Sequence, residues 1–176
     1  VHSDGNGTPQ QVGRTDYVYD QLGRPVAQRI TTDAGSVLSS YVIYDSLNRK
    51  VADIDATGAV REYVYNNNGQ VVRSIAYSQR VAASILAQDP STLTLVDVRS
   101  TSAENRITQQ VYDAAGRLAK TIDAEGAVVQ YHYDGTNRLV QTTAYANRLT
   151  ATQLTALAAV TGEIDATDVN SNPAAD

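Results

Sequence analysis

Apolar and polar positions alternate along this chain in short runs, and clusters of Asp, Asn and Gly close each run. Val71-Val72-Arg73-Ser74-Ile75 is one such run, and its β-branched residues favour a half-buried strand. Just upstream, Tyr63 and Tyr65 stand two apart, which puts both rings on one face of an extended segment. Between them and the run lies Asn66-Asn67-Asn68-Gly69. A short carboxylate or amide at the first place and Gly or Asn at the fourth suit a type I turn, because Asx side chains bond the local backbone and Gly or Asn tolerates positive φ. The pattern predicts strand, tight turn, strand.

The pattern recurs five times: Tyr19-Asp20-Gln21-Leu22-Gly23-Arg24, Tyr44-Asp45-Ser46-Leu47-Asn48-Arg49, Tyr65-Asn66-Asn67-Asn68-Gly69-Gln70, Tyr112-Asp113-Ala114-Ala115-Gly116-Arg117 and Tyr133-Asp134-Gly135-Thr136-Asn137-Arg138. The consensus is Tyr-[Asp/Asn]-x-x-[Gly/Asn]-[Arg/Gln]. Tyr17, Tyr63 and Tyr131 precede three of the copies by two residues, and the third copy, with Asn66 and Gln70, is degenerate. Second turns with the same signature lie at Asp55-Ala56-Thr57-Gly58 and Asp123-Ala124-Glu125-Gly126, and Asp33-Ala34-Gly35 reads as a version one residue shorter. Each motif is thus two strands and two turns, and repetition gives an antiparallel meander.

A longer period lies over the short one. Residues 44–89 align without gaps on 112–157 at a shift of 68, with 17 identities in 46 positions, which points to duplication. The organisation expected is an N-terminal segment with the first motif (1–43), a first unit (44–111) and a second unit (112–176). Each unit ends in an insert. Thr150 and Gln153 form a capping-box signature, and Ala151, Leu154, Leu157 and Ala158 recur at helical spacing. The matching stretch Ala82–Gln88 carries Ile85 and Leu86 and stops before Asp89-Pro90. A short helix of two to three turns followed by a polar loop is expected in each insert. The stretch 99–108 and the tail 168–176, rich in Ser, Asn or Asp, are expected to be exposed. The fold class is mainly β: an antiparallel β-hairpin repeat with a short helix inserted per unit of about 68 residues.

Composition narrows the function. Lys plus Arg is 14 against 19 Asp plus Glu, a net charge of −5, which argues against nucleic acid or an anionic membrane surface. No run of about 18 apolar residues predicts a membrane-spanning helix. Cysteine is absent, which removes disulfides, thiolate metal sites and thiol nucleophiles. Two histidines, His2 and His132, exclude a multi-histidine metal centre. Absence of Met suggests a processed product or a piece of a longer chain. All eleven aromatic residues are Tyr, so the rings belong to the motif, and stacked repeats would set them in ladders with about 0.2–1 kcal/mol per cross-strand pair.

The candidate chemistry is sparse. His132 lies between Tyr131 and Tyr133 and faces away from them, as a strand-surface residue. Asp53 and Asp55 stand two apart, the type of pair glycoside hydrolysis requires in a cleft, yet Asp55 is the turn residue and Thr121 replaces Asp53 in the second unit. The stretches 4–8 and 53–58 faintly resemble calcium loops but lack the downstream Glu. Asn6-Gly7-Thr8 is a glycosylation sequon. Arg24, Arg49, Arg117 and Arg138 follow the turns and are expected to pair with the turn aspartates. No catalytic, cofactor or metal residues are assigned.

The string Tyr-Asp-x-x-Gly-Arg-Leu at 112–118, with Asp-x-x-Gly at 123–126 and Tyr-x-Tyr-Asp at 131–134, resembles the YD repeat of Rhs proteins, Tc insecticidal toxin components, wall-associated proteins and teneurins. The resemblance covers about 17–145 and implies a long β-sheet spiralling into a hollow shell, enclosing a toxin domain in bacteria or presenting an adhesion surface in teneurins. It implies a structural segment of a large secreted or surface protein, bacterial in kind, whose partners are neighbouring YD repeats of the same or identical chains. Its defining residues here are Tyr19, Asp20, Gly23, Tyr44, Asp45, Tyr63, Tyr65, Gly69, Tyr112, Asp113, Gly116, Tyr131, Tyr133 and Asp134. The family's self-cleaving element has Asp-Pro-x-Gly-Leu; Asp89-Pro90-Ser91-Thr92-Leu93 lacks its Gly and sits inside an insert. About ten strands give roughly 48 Å of sheet, too little to surround a cargo about 34 Å across. The expectation is a segment of a larger spiral, or copies paired edge to edge. An alternative is an adhesin, in which Tyr77, Arg80, Tyr145 and Arg148, from the two Ala-Tyr-x-x-Arg strings, form exposed rows that contact glycans or a cell-surface receptor.

Overall fold

The computed structural model describes residues 2–3, 9–10 and 13–159. Its strands are β1 (His2–Ser3), β2 (Pro9–Gln10), β3 (Gly13–Tyr19), β4 (Pro25–Thr32), β5 (Val37–Tyr44), β6 (Lys50–Ile54), β7 (Val60–Tyr65), β8 (Val71–Ala76), β9 (Arg106–Tyr112), β10 (Leu118–Ile122), β11 (Val128–Tyr133) and β12 (Leu139–Ala144). The helices are α1 (Ala83–Leu86), α2 (Leu95–Val98) and α3 (Ala151–Ala159). β1 and β2 form a separate pair, and β3 to β12 form one open antiparallel sheet in which every strand lies beside its neighbours in sequence. This is the expected mainly β meander: tight turns join successive strands from β3 to β8 and from β9 to β12, the first insert joins β8 to β9, and no crossover is needed.

By contact the chain divides into two compact units, Val1–Glu62 with Ala76–Asn105 and Tyr63–Ile75 with Arg106–Asp176. In the first, β5 and β6 bury alternate residues, ending in Tyr41 and Ile43 and in Ala52 and Ile54. In the second, β9 and β10 repeat that pattern at the shift of 68, with Gln109, Val111, Lys120 and Ile122 buried. Period-two burial follows from the pleat. The second unit's core is Val111, Ile122, Val128, Leu149 and Leu157, with Tyr145 and Leu154 packed against it. Leu154 and Leu157 come from α3, whose Thr150 backbone N–H donates to Gln153 Oε1 at 2.9 Å while the Gln153 N–H returns to Thr150 Oγ1 at 3.3 Å. The expected capping box forms, and its helix closes one side of a core otherwise thin in large side chains.

The first insert differs from expectation. α1 is a single turn, because Ala82 offers no capping side chain and the residue before Pro90 is pushed out of the helical region. A 3-10 turn over Pro90–Thr92 follows, capped by Asp89, which accepts from the Ser91 N–H at 2.9 Å. Then comes α2, where the Thr94 N–H and hydroxyl both donate to Asp97 at 2.8 and 2.6 Å. Leu93 and Val98 are buried, so this stretch is anchored where a polar loop was expected. The exposed stretch 99–108 ends early, as β9 begins at Arg106. The 168–176 tail lies outside the described residues. The turn after β4 is not shortened: Thr32 takes the first place, its carbonyl accepting from Gly35 N–H at 3.0 Å and its hydroxyl from Ser36 N–H at 3.2 Å.

Two further turns tie strand to insert identically in both units. Tyr77 N–H donates to Val60 O at 3.0 Å and Val81 N–H to Gly58 O at 2.9 Å; Tyr145 N–H donates to Val128 O at 3.0 Å and Leu149 N–H to Gly126 O at 2.8 Å. Gly126 has φ +83°, and a Cβ there would stand 2.5 Å from the Leu149 carbonyl oxygen. Gly69 has φ +78° with open space around it. Gly69→Ala should therefore cost only the left-handed penalty, about 1–2 kcal/mol, and Gly126→Ala clearly more. Urea midpoints of the two variants test this; equal losses would contradict the packing described.

Candidate functional site

The five motif turns share one hydrogen-bond design. Asp20 Oδ1 accepts the N–H groups of Leu22 and Arg24, both at 2.9 Å, and Oδ2 accepts Arg24 Nε at 2.6 Å. The Gly23 N–H donates to Asp20 O at 3.0 Å. One short carboxylate thus satisfies two backbone donors and pins the guanidinium of the residue that supplies the second of them. Asp45 treats Leu47 and Arg49 alike, Asp113 treats Ala115 and Arg117 alike, and Asp134 treats Thr136 and Arg138 alike. The fourth place is left-handed in each, including the non-glycines Asn48 at φ 61° and Asn137 at φ 64°. The third turn keeps the geometry without charge. Asn66 Oδ1 accepts from Asn68 and Gln70 N–H, and Asn66 Nδ2 donates to Gln70 Oε1 at 3.0 Å. The degenerate copy is therefore a neutral equivalent.

Three of the turns also grip the next motif, through Arg24, Gln70 and Arg117. Arg24 Nη1 donates to Asn48 Oδ1 at 2.8 Å, its guanidinium lies 4.7 Å from the Tyr44 ring centroid, and the Tyr44 hydroxyl donates to Pro25 O at 3.3 Å. Arg117 Nη1 donates to Asn137 Oδ1 at 2.9 Å, sits 4.9 Å from the Tyr133 centroid, and the Tyr133 hydroxyl reaches Leu118 O at 3.0 Å. Where Gly116 replaces Asn, its carbonyl takes Gln70 Nε2 at 2.7 Å, while the Tyr112 hydroxyl donates to Val71 O at 3.0 Å. Arginine, tyrosine and turn thus form an inter-repeat clasp. A cation–π contact of about 0.5–1 kcal/mol is made at the Arg24–Tyr44 and Arg117–Tyr133 junctions, and a net hydrogen bond of about 1 kcal/mol at these and at Gln70–Gly116. Tyr63 and Tyr65 are half-buried on β7, and the Tyr131 hydroxyl meets Thr121 Oγ1 at 3.5 Å on the neighbouring strand.

The Ala-Tyr-x-x-Arg residues do not form an exposed row. Tyr77 is only 8% exposed. Its hydroxyl donates to buried Glu62, which also accepts from Arg99. Burial, reinforced by Glu62, pushes the Tyr77 phenol well above its ordinary range. Tyr145 is half-buried against the second unit's core and donates to Gln130 Oε1, the residue that matches Glu62 at the shift of 68. Arg80 and Arg148 are exposed, yet their guanidinia donate to Thr57 O at 2.6 Å and Glu125 O at 3.4 Å. Glu62 and Arg99 escaped the sequence reading; a polar residue at an inward strand position in both units was the available signal.

The other candidates do not converge. Asp53 pairs with Lys50 at 2.7 Å. Asp55 Oδ1 accepts from Thr57 N–H, Thr57 Oγ1 and Ala59 N–H, as a turn residue. His132 is half-buried on β11 opposite Gln141. Among the described residues no group of three His, Cys, Asp or Glu could hold a metal ion, and no helix is long and apolar enough to cross a membrane. Residues 4–8, with Asn6, lie outside the described residues; His2 is in β1.

Comparison with known proteins follows the same lines. The family model for the RHS repeat matches residues 112–156. The crystal structure of TcdB2-TccC3 without its hypervariable C-terminal region and that of TcdB2-TccC3-Cdc42 each match with a TM-score of 0.50 at 16% identity, covering 78% of this chain. This chain spans 7% of the length of those chains, and the likeness is one of fold. No curated protein matches.

Two outcomes follow from the geometry. Asp134 is held at about 2, first by the Thr136 hydroxyl, then by the Arg138 N–H and guanidinium. Asp20 is lowered first by the Arg24 N–H. At Asp45 and Asp113, burial opposes ionisation, but the N–H and guanidinium of Arg49 and Arg117 outweigh it. Carboxyls depressed in the folded state stabilise it above their unfolded value of about 3.9, and that stability is lost as pH falls through the folded values. Thermal midpoints should be level above about pH 5 and drop between about pH 4 and pH 2; a midpoint unchanged at pH 2 would refute the role given to these turns. In the second case, Glu62→Gln should keep an acceptor for Tyr77, as Gln130 does for Tyr145. Glu62→Ala should strand the buried phenol and cost about 1–3 kcal/mol, and denaturant titration of the pair separates the two.

Proposed function

We propose, for a chain that carries an RHS repeat over residues 112–156, that it is a non-enzymatic length of wall in a large secreted or surface protein, its sheet lining part of a hollow shell. One observation carries this reading: the motif side chains are occupied in building turns and gripping the neighbouring repeat. Asp20, Asp45 and Asp113 each accept three hydrogen bonds within their own turns, and Asp134 accepts four. Tyr44, Tyr112 and Tyr133 donate to backbone of the preceding motif. A catalytic constellation needs polar groups directed at a substrate; these are directed at the fold. The fold likeness to TcdB2-TccC3 supports a sheet extended by further repeats. The boundaries 1–43, 44–111 and 112–176 are proposed as its evolutionary modules, since Asp55 and Asp123, Gly58 and Gly126, and Tyr77 and Tyr145 hold matching places.

The adhesin alternative requires Tyr77 and Tyr145 to meet a ligand, and burial of Tyr77 speaks against it. The deciding experiment is electron microscopy of the natural protein that contains this segment. The expected result is residues 13–144 within a β-wall bounding a lumen. A solid filament with the segment stacked along its axis would overturn the shell reading, and saturable glycan binding abolished by Tyr145→Phe in folded protein would overturn the non-binding one.

A further inference from the structure

The third motif turn carries no charge, and it ends in Asn68-Gly69. Both residues are exposed. The Asn68 side chain makes no hydrogen bond among the described residues; its backbone N–H donates to Asn66 Oδ1 at 3.0 Å. A Cβ added at Gly69 would meet nothing within 4 Å beyond its chain neighbours, and the Gly69 N–H donates to Asn66 O at 3.1 Å. A free primary amide thus stands beside a backbone nitrogen that no side chain shields. The other described asparagines lack this combination. Asn48, Asn105, Asn137 and Asn147 each precede Arg, whose side chain crowds the following nitrogen. The Asn48 and Asn137 amides also accept from Arg24 and Arg117, and Asn66 is held by Gln70. Asp134-Gly135 shares the glycine, but its carboxylate accepts four hydrogen bonds from Thr136 and Arg138 and, being ionised, resists attack by a nitrogen.

We infer that Asn68-Gly69 is a deamidation site, with water as co-reactant, and that it makes the third junction the part of the sheet that ages. A solvent base removes the Gly69 amide proton, and the nitrogen attacks Asn68 Cγ to close a five-membered imide. The Cγ–Nδ2 bond breaks, and the side-chain amide takes up a proton and leaves as ammonia. Water then opens the imide on either side. Cleavage of the new Cγ–N bond gives Asp; cleavage of the original peptide bond gives isoaspartate, whose main chain runs through Cγ. The turn tolerates any side chain at this place, since Leu22, Leu47, Ala115 and Thr136 occupy it in the other motifs. Asp therefore leaves the turn intact. Isoaspartate adds a methylene to the main chain. It carries the Gly69 N–H from Asn66 O and the Gln70 N–H from Asn66 Oδ1, held at 3.1 and 2.9 Å. With them goes the Gln70 Nε2 that grips Gly116 O at 2.7 Å.

Tandem mass spectrometry of peptides from the folded chain, stored in mildly alkaline buffer, tests this. Asn68 should gain one mass unit at least about tenfold faster than Asn48 or Asn137. The rate should rise with pH, and chromatography should resolve isoaspartate beside Asp at the site. The thermal midpoint of the wild type should fall in step with isoaspartate at this place. Asn68→Ala, which copies the fourth motif's Ala115, should fold and keep its midpoint through the same storage; Asn6-Gly7 is common to both chains and cancels. Deamidation no faster at Asn68 than at Asn48 and Asn137, or Asp formed without isoaspartate, would overturn the site. A midpoint that does not follow isoaspartate, or that falls equally in Asn68→Ala, would overturn its effect on the junction.

Discussion

A carboxylate placed first in a four-residue turn is the constraint on which this protein depends. It accepts two backbone N–H groups that a bare reversal would leave to water, and its remaining oxygen fixes the guanidinium that follows the turn. That guanidinium is long enough to reach the next motif, where it finds a tyrosine face and a turn acceptor. The local and the inter-repeat interactions therefore share one side chain. A turn that closes correctly presents the arginine in position, and a repeat that docks correctly holds the turn closed. Consistency of this kind between levels is what gives a repetitive sequence one fold.

The arrangement compensates for a core of modest side chains. Leu, Ile and Val are interspersed with Ala, Ser and Thr, and Phe, Trp and Met are absent. The second unit's core is five residues, two of which lie outside its strands. Hydrophobic burial on the sheet alone would leave registers nearly equivalent, because a strand slip exchanges one sparse face for another. Turn and clasp remove that freedom. A slip by even one residue would take the Tyr44, Tyr112 and Tyr133 hydroxyls from their carbonyls and Arg24 and Arg117 from their rings. The bulges recorded where β3, β5, β9 and β11 pass into their turns fit the same design, since a left-handed residue after a tight turn adds one residue to a single side of the hairpin.

Most of the sheet was legible because its signals are local. Asp at one place and Gly or Asn three later is a turn whatever surrounds it, and five copies name ten strands. What escaped lies at longer range. Nothing adjacent to Glu62 announces Tyr77 and Arg99; only the fold brings residues 62, 77 and 99 together. An Ala-Tyr-x-x-Arg string after a strand has no buried signature of its own, so the sequence leaves open the adhesin alternative with Tyr77 exposed. The pairing of the arginines with the turn aspartates is local and legible, but stacking of Arg24 and Arg117 on the following tyrosine depends on strand order. In the first insert, Thr94 and Asp97 carried a cap signal that a Ser- and Thr-rich context obscured.

The duplication lets the chain act as its own set of substitutions. At the third turn, Asp and Arg have become Asn and Gln together, and the hydrogen bonds survive with the charge removed. Had only one changed, a carboxylate would lack its cation or a guanidinium its anion. At Glu62 and Gln130 the difference follows the neighbour: the carboxylate stands where Arg99 arrives to meet it, and the amide where the Tyr145 hydroxyl donates to it. Asn replaces Gly at the fourth turn place in Asn48 and Asn137, and at both it gives an acceptor to the arginine of the preceding motif; at Gly116 the preceding residue is Gln70, which bonds the backbone instead. These residues vary in concert across the clasp, so the unit under physical constraint is the junction between two motifs and not the motif itself.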